Sequence, residues 1–416
     1  MTVMNKRLAW AALALVLSPL GAQQLHEERS VVNVGVPVRV FKGPAFVNTL
    51  NLGDFEVLED GIPQKVEAVY LIHQTAVERR EELNRFDPPT SRHFYLFFEI
   101  SEYTNPIGEA LTDFIEKVVF PGDQLTVVTP LSTYRMRLNA LELQSKPRIA
   151  RQLINILRRD SLAGNAEYVE LVKEVEDVAQ SMALALISAR DTMSTMGQPE
   201  PLPIPMMTRI DSRPADYLPQ YINALSRLES FRKLDQDRIL RFASALKNEE
   251  GQKFVFIFYQ REFIPQVEPS LINPYLTLNP ERPDLQQLAG NLADLLKHYD
   301  TYDIEGIKRA YADASVAIHF LFISRPAKHM LGVTFKERSE DIYSAFREMA
   351  VSTGGFFEAS ANAKTLLKNA VDSAENYYLL YYSPLNLERD GRFRKIAIRV
   401  KSGDYRVIHR QGYIAD

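Results

Sequence analysis

Histidine acts as a general acid or base and as a metal ligand near neutral pH, so the seven histidines are the first residues that could do chemistry. They are His26, His73, His93, His298, His319, His329 and His409. No two of them stand three or four residues apart, the spacing that places two ligands on one face of a helix. His319 lies inside an apolar segment and is interpreted as a satisfied core histidine in preference to a ligand. The spacing therefore predicts no histidine-based catalytic or metal site.

Signatures of other enzyme classes are missing from the sequence as well. There is no Gly-x-Ser-x-Gly motif, no phosphate-binding glycine loop that ends in Lys-Ser or Lys-Thr, and no dinucleotide-binding glycine fingerprint. The pair Gly354-Gly355 follows a predicted helix instead of preceding one, so we interpret it as a helix stop. Cysteine is absent, which excludes disulfides, thiolate catalysis and cysteine-ligated metals. We expect a protein that is not an enzyme and has no cofactor; an enzyme of unrecognised type is the alternative.

The first 22 residues have the three parts of a secretory signal. Lys6 and Arg7 form a basic start, residues 8–17 carry no charge, and small or apolar residues follow up to Ala22. The uncharged run is about half as long as a membrane-spanning helix, which argues against the alternative of a short membrane anchor. We therefore predict cleavage after Ala22 and export to the periplasm or the extracellular space, with no membrane span in the mature protein.

The charge balance argues against nucleic acid as a partner. The chain has 49 lysine and arginine residues against 53 aspartate and glutamate residues, a formal net charge of −4. Nucleic-acid binding depends on neutralising phosphates with basic side chains, and the sequence contains no basic run. We therefore expect a protein partner, whose identity the sequence does not give, and no nucleic acid.

Both ends of the chain carry the period-two pattern of β-strands. Valines occupy every second position from Val32 to Val40, the pattern of a half-buried strand. An Asp-Gly pair at residues 60–61 supplies the turn of a hairpin. The C-terminal end alternates in the same way, and neither end alone has enough strands for a sandwich. We therefore predict that residues 23–89 and 377–416 are the two halves of one antiparallel β-sandwich.

Strands and helices alternate in the segment between these halves, residues 90–376. This alternation predicts a doubly wound, mainly parallel α/β sheet inserted into the sandwich. Continuous apolar runs predict strands that are buried on both faces of that sheet. A helix is predicted from Glu340 to the stop at Gly354-Gly355. The predicted strands begin at Phe94, Leu125, Phe254 and Val316.

A helical insertion is predicted at about residues 146–220 of this segment. Two helices with apolar stripes begin the insertion. The proline cluster that follows them predicts an extended, irregular linker over the surface. The cluster consists of Pro199, Pro201, Pro203, Pro205, Pro214 and Pro219. After it, residues 221–247 are again predicted to be helical.

Four tyrosines lie within residues 377–382. Clustered tyrosines can anchor a carbohydrate or a protein. In a strand, however, successive side chains alternate between the two faces, so about half of these tyrosines should pack in the core. We therefore favour core packing over an anchor site for this cluster.

Five segments occur in a characteristic order along the chain, although each is a weak signal alone. They are the alternating valines of residues 32–40, Asp54 to Gly61, Pro121 to Leu125, Met349 to Gly355, and Tyr377 to Tyr382. In this order they resemble the bacterial secreted proteins that carry a von Willebrand factor A-related domain, and the resemblance covers nearly the whole mature sequence. Such domains are adhesion and interaction modules, so the resemblance implies binding without catalysis.

The resemblance also implies a divalent-cation site. In the family it is built from an Asp-x-Ser-x-Ser loop after the first strand, a threonine from a second loop and an aspartate after the fourth strand. These oxygen ligands hold magnesium and leave one coordination position for an acidic residue of the partner. Here the first loop has Glu99 for the aspartate, keeps Ser101 and has Tyr103 for the second serine. Residues 259–262 replace the last aspartate with Tyr-Gln-Arg-Glu, and Arg261 would put a positive charge near the cation position.

We interpret this site as degenerate and expect no metal, with bound magnesium as the alternative. The expected function is an exported, non-enzymatic module that binds a protein at the carboxyl ends of the sheet strands, where α/β sheets bind ligands. The alternatives are a structural envelope component with the α/β domain as a spacer, and a metal-dependent adhesion module with a divergent site. The glutamates could instead form a plain salt-bridge cluster with Arg261. The candidate partner-binding residues are Glu99, Ser101, Glu102 and Glu262.

Overall fold

The computed structural model describes residues 33–195, 213–231, 236–297, 303–385 and 388–415. The predicted signal sequence, residues 1–22, lies outside these ranges. The described part is a mixed α/β structure. Its strands are β1 (Val34–Lys42), β2 (Ala45–Phe46), β3 (Phe55–Glu59), β4 (Ile62–Gln64), β5 (Val66–His73), β6 (Ala76–Glu82), β7 (Arg92–Glu99), β8 (Gln124–Val128), β9 (Thr133–Arg135), β10 (Gln252–Gln260), β11 (Phe263–Val267), β12 (Val316–Ile323), β13 (Val333–Glu337), β14 (Phe357–Ser360), β15 (Asn376–Tyr382), β16 (Phe393–Val400), β17 (Arg406–His409) and β18 (Gly412–Ile414).

Helices are concentrated in the middle of the chain. Within the described ranges, none of them is long and apolar enough to cross a membrane. They are α1 (Asn105–Lys117), α2 (Ala140–Leu143), α3 (Lys146–Gly164), α4 (Ala166–Thr195), α5 (Pro214–Phe231), α6 (Gln236–Lys247), α7 (Pro269–Thr277), α8 (Pro283–Lys297), α9 (Ile304–Asp313), α10 (Glu340–Ser352) and α11 (Ala363–Glu375).

The two ends of the chain share strands in two antiparallel sheets. In the first sheet the order is β17-β1-β15-β5-β6, so the C-terminal strand β15 lies between two N-terminal strands. In the second sheet the order is β18-β16-β3-β4, and C-terminal β16 pairs with N-terminal β3. Residues 60–61 make the turn between β3 and β4, where both residues have the positive φ that an Asp-Gly hairpin turn requires.

One apolar core lies between these two sheets. Val38 of β1 and Tyr378 of β15 meet Val57 of β3 and Ile398 of β16 there. The opposite face of the first sheet is covered too, because the ring of Phe86 stacks on Tyr381 at 4.5 Å. All six residues of 377–382 are therefore buried. Core packing of the tyrosines is confirmed, but the expectation that only half of them would be buried is wrong.

The middle of the chain forms a second, mainly parallel sheet of order β14-β12-β10-β7-β8-β9. Its four predicted strands are all present as β7, β8, β10 and β12, which pair in parallel, and only the β8–β9 pair is antiparallel. Helices α1, α3 and α11 pack against one face of this sheet. Helices α6, α9 and α10 pack against the other face. The long apolar strands predicted this burial on both sides.

The predicted stop of helix α10 is confirmed. The helix ends at Ser352, and Gly354 follows with φ +70°, a conformation that glycine adopts without strain. Gly355 then passes close to strand β12, where a Cβ atom would lie 1.7 Å from the carbonyl oxygen of Ile318. The glycine pair thus ends the helix and allows close backbone packing.

A separate helical layer has its own apolar core. Helices α4, α5, α7 and α8 pack there with the two-stranded sheet of β11 and β13. The helical layer therefore extends beyond the predicted end of the insertion at about residue 220, because α7 and α8 also belong to it. Pro214 begins α5 and Pro219 lies inside it, so the predicted extended linker is wrong at these two positions. Burial of Leu218 and Tyr221 holds this segment in the helix. The other four prolines of the cluster lie outside the described residues.

Candidate functional site

Gln260, the last residue of β10, is buried and holds the loop that follows β7. Its Oε1 accepts hydrogen bonds from Ser101 Oγ and from the amide nitrogen of Glu102, both at 3.0 Å. Its Nε2 donates to the carbonyl oxygen of Glu102 at 3.1 Å. These residues meet because β7 and β10 are parallel neighbours, so their carboxyl ends lie at the same edge of the sheet.

Arg325, which follows β12, adds a positive charge to this loop. Its Nη1 donates to Ser101 Oγ and its Nη2 donates to Glu102 Oε2, each at 2.9 Å. The side chain of Glu102 is 63% exposed and that of Arg325 is 33% exposed, so the ion pair lies at the surface. We call Ser101, Glu102, Gln260 and Arg325 the carboxyl-edge cluster.

The carboxyl-edge cluster does not fit a magnesium ion. Oε1 of Gln260 already accepts two hydrogen bonds, which uses both of its lone pairs. The guanidinium of Arg325 sits at hydrogen-bond distance from Ser101 Oγ and would repel a cation. Thr129, the threonine after β8, is turned away, because its Oγ1 lies 2.8 Å from Oδ2 of Asp160. Within the described ranges, no group of three or more histidine, aspartate or glutamate side chains is placed to hold a metal ion.

Tyr103, which stands where the family has its second serine, packs away from the cluster. Its phenol oxygen lies against Gly108 of helix α1. A Cβ atom added to Gly108 would lie only 2.1 Å from this oxygen. The guanidinium of Arg158 lies 4.8 Å from the centre of the Tyr103 ring. Tyr103 therefore anchors its loop to α1 and α3 and offers no ligand at the sheet edge.

Glu99 and Glu262 are the other two sequence candidates. Glu99 ends β7 in an exposed position beside Tyr259. By strand alternation it lies on the sheet face of Phe97, which α6 covers. Glu262 precedes β11, and its backbone bonds to Arg338 and to Ser339.

Arg261 does not supply the charge at the carboxyl-edge cluster. Its Nε lies 3.2 Å from Glu337 of β13, and its guanidinium packs on the ring of Phe322 at 5.4 Å. Glu102 pairs with Arg325 instead, so the alternative of a salt-bridge cluster with Arg261 does not hold for Glu102. Sequence reasoning missed Arg325, although a charged residue two positions after a buried strand is the signal that could have identified it.

His319 is buried in the core of the sheet, as predicted, and stacks on Phe256 at 4.7 Å. Neither ring nitrogen has a hydrogen-bond partner within the described ranges, so the expectation that the ring would be satisfied is wrong. Burial, and then the charge of Arg39, lower the pKa of His319 well below its ordinary value. The ring is therefore neutral near neutral pH and adds no charge to the core.

Magnesium or manganese at millimolar concentration should leave the melting temperature of the protein unchanged. A cation that binds only the folded protein raises that temperature by mass action, and the carboxyl-edge cluster offers no such site. Differential scanning fluorimetry with and without EDTA measures this directly. A reproducible cation-dependent rise that Glu99→Ala abolishes would contradict our reading of the loop.

Comparisons with known proteins give no family for this chain. No family model and no curated protein matches the sequence. One similar solved structure is the crystal structure of the human COPII-coat protein Sec24c, at 8% sequence identity and a TM-score of 0.29. The similarity covers 85% of this chain but only 46% of that one, so this chain spans less than half of the other protein. At this TM-score the likeness supports no conclusion about fold or function.

Proposed function

We propose that this chain is an exported, non-enzymatic protein of the von Willebrand factor A-related class. In this proposal its central sheet is the doubly wound domain of that class, and it binds a protein partner at the carboxyl-edge cluster without a metal ion. The order of the five sequence motifs supports the class. The parallel strands with helices on both faces support the domain type.

The observation that carries the proposal is the position of Arg325. In the family that the sequence resembles, a metal ion at this edge receives an acidic residue of the partner. Here a guanidinium is fixed at the same edge by Ser101 and Glu102, and it uses two of its five N–H groups for them. A guanidinium binds carboxylates with matched geometry. Arg325 therefore supplies the positive charge that such a partner needs.

A spacer role is the second candidate, and the helical layer is the observation that favours it. Strands β11 and β13 follow β10 and β12 along the chain, so this layer lies at the carboxyl end of the sheet. Lys328 in the β12–β13 loop also pairs with Glu176 of α4 at 2.5 Å. A layer that covers this end would leave less surface for a partner.

A pull-down from envelope extracts separates the two candidates. The baits are the wild-type protein, Arg325→Gln, and the control Arg392→Gln, which removes an exposed arginine paired with Asp390 in the β-sandwich. We expect one protein to be retained by the wild type and the control, and about tenfold less by Arg325→Gln. Equal retention by all three baits would contradict binding at the carboxyl-edge cluster. No protein retained by any bait would favour the spacer role.

A further inference from the structure

A cavity lies at the opposite end of the α/β sheet, where β10 and β12 begin against the β-sandwich. It measures about 30 Å³ and is lined by residues of both parts of the fold. Arg39 of β1 and Tyr377 of β15 come from the sandwich, as does Arg410. Lys253 of β10 and Ser315 come from the α/β part. The cavity therefore lies where the β-sandwich meets the α/β part.

Three buried basic side chains line this cavity. Arg39 is 7%, Lys253 5% and Arg410 8% exposed. Burying even one unpaired charge is costly, and such charges are normally paired with an acid. Three cations around one small cavity therefore create a strong positive potential.

The hydrogen bonds of these cations end on neutral groups. Arg39 donates to the carbonyl oxygen of Ser373 at 2.9 Å. The ammonium of Lys253 donates to the carbonyl oxygens of Leu246 and Glu249 at 2.8 and 2.7 Å. Arg410 donates to the carbonyl oxygen of Gly35, to that of Ala312 and to the hydroxyl of Ser315. Within the described ranges, none of the three cations forms an ion pair.

The acids nearest to the cavity are engaged elsewhere. Glu249 accepts hydrogen bonds from Tyr95 and His93, and Asp313 pairs with Lys247 at 2.8 Å. Both acids act on the cations only at longer range, and burial outweighs them. Burial lowers the pKa of Lys253 to about 8 and that of Arg39 to about 10.

Two buried donors at the cavity have no partner within the described ranges. They are Nε of Arg410 and the hydroxyl of Tyr377. A buried donor that lacks an acceptor is costly, so both point to an acceptor that the protein itself does not supply. A single negatively charged acceptor would accept hydrogen bonds from both donors and would also offset the surrounding positive charge.

We propose that this cavity binds a small monovalent inorganic anion of the size of chloride. A volume of about 30 Å³ holds one or two water-sized groups, which suits a halide. The single negative charge of the anion offsets part of the positive charge of Arg39, Lys253 and Arg410, and the anion accepts a hydrogen bond from the hydroxyl of Tyr377. Because these residues come from both parts of the fold, the bound anion ties the β-sandwich to the α/β sheet.

Thermal unfolding in sodium chloride and in sodium gluconate of equal concentration tests this proposal. Gluconate is too large for the cavity, so chloride should raise the melting temperature of the wild type by about 2–4 °C more than gluconate does. Lys253→Met should lose this difference, whereas Lys117→Met, which removes an exposed lysine, should keep it. If Lys253→Met does not fold, Tyr377→Phe is the second variant, because it keeps the buried ring and removes only the hydroxyl. It should reduce the difference in melting temperature between chloride and gluconate. The wild-type difference should also shrink as the pH rises through about 8, where Lys253 loses its proton.

A bromide soak of crystals gives the direct readout. We expect an anomalous peak beside Lys253, Arg410 and Tyr377. A cavity that holds only water would show no anomalous peak there. The difference in melting temperature between chloride and gluconate would then be the same in the wild type, Lys253→Met and Lys117→Met. Either result would overturn the proposal and would leave the proposed partner binding at the other end of the sheet untouched.

Discussion

Deletion of residues 377–416 should expose strands β1 and β5 to proteolysis, although neither strand is removed. Strand β15 lies between them and pairs with both, so its loss breaks the first sheet in the middle. The deletion also removes Tyr378, Leu380 and Tyr382 from the core between the sheets. Strand β3 loses its partner β16 at the same time. The remaining N-terminal strands cannot cover a core alone.

Limited proteolysis with mass spectrometry measures this effect. Peptides from residues 34–82 should be released early from the deletion variant and late from the wild type. A matched control removes only residues 412–416, which takes away the edge strand β18 and should leave β1 and β5 protected. Persistent protection of residues 34–82 in the larger deletion would mean that the N-terminal strands form an independent unit.

Replacement of Phe346 with alanine should destabilise the protein by about 3–5 kcal/mol. Phe346 of α10 is 3% exposed and stacks on Phe320 of β12 at 5.0 Å. Ile342 and Met349 of the same helix are buried beside it, so the surrounding core cannot easily collapse into the space left. The cost therefore includes both the lost burial and a residual cavity.

The free energy of unfolding in denaturant provides the measurement for Phe346→Ala. Val351→Ala is the control on the same helix, because Val351 is 51% exposed and should cost less than about 0.5 kcal/mol. A loss below about 1 kcal/mol for Phe346→Ala would mean that this helix face contributes little to the core.

Strands were the most predictable part of the fold. The valines from Val34 to Val40 fix the buried face of β1 by their period of two, and the Asp-Gly pair at residues 60–61 fixes the hairpin. Neither signal depends on the rest of the chain. The pairing of the two ends was predictable for a different reason, namely that each end alone had too few strands.

The helical layer could not be predicted in the same way. Helices α7 and α8 and strands β11 and β13 bury their apolar residues against one another and against α4 and α5. Their stability therefore comes from contacts between segments far apart in sequence. Pro214 and Pro219 illustrate this, because local preference favoured an extended linker and tertiary packing produced a helix.

The candidate site was predictable in position but not in composition. The end of β7 was predicted from the apolar run, and Ser101 and Glu102 do lie at the carboxyl edge of the sheet. Arg325 was missed, because it is 223 residues from Glu102 and reaches it only through the pairing of β7, β10 and β12. A single sequence gives the strand ends but not the order of the strands.

The dissociation constant of the partner, measured with and without magnesium, is the most direct test of metal-independent binding at the carboxyl-edge cluster. The partner retained in the pull-down is titrated against the wild-type protein in excess EDTA and again in excess magnesium. We predict dissociation constants that agree within about twofold, and binding about tenfold weaker for Arg325→Gln in both buffers. Binding that is lost in EDTA, restored by magnesium and unchanged in Arg325→Gln would contradict the account.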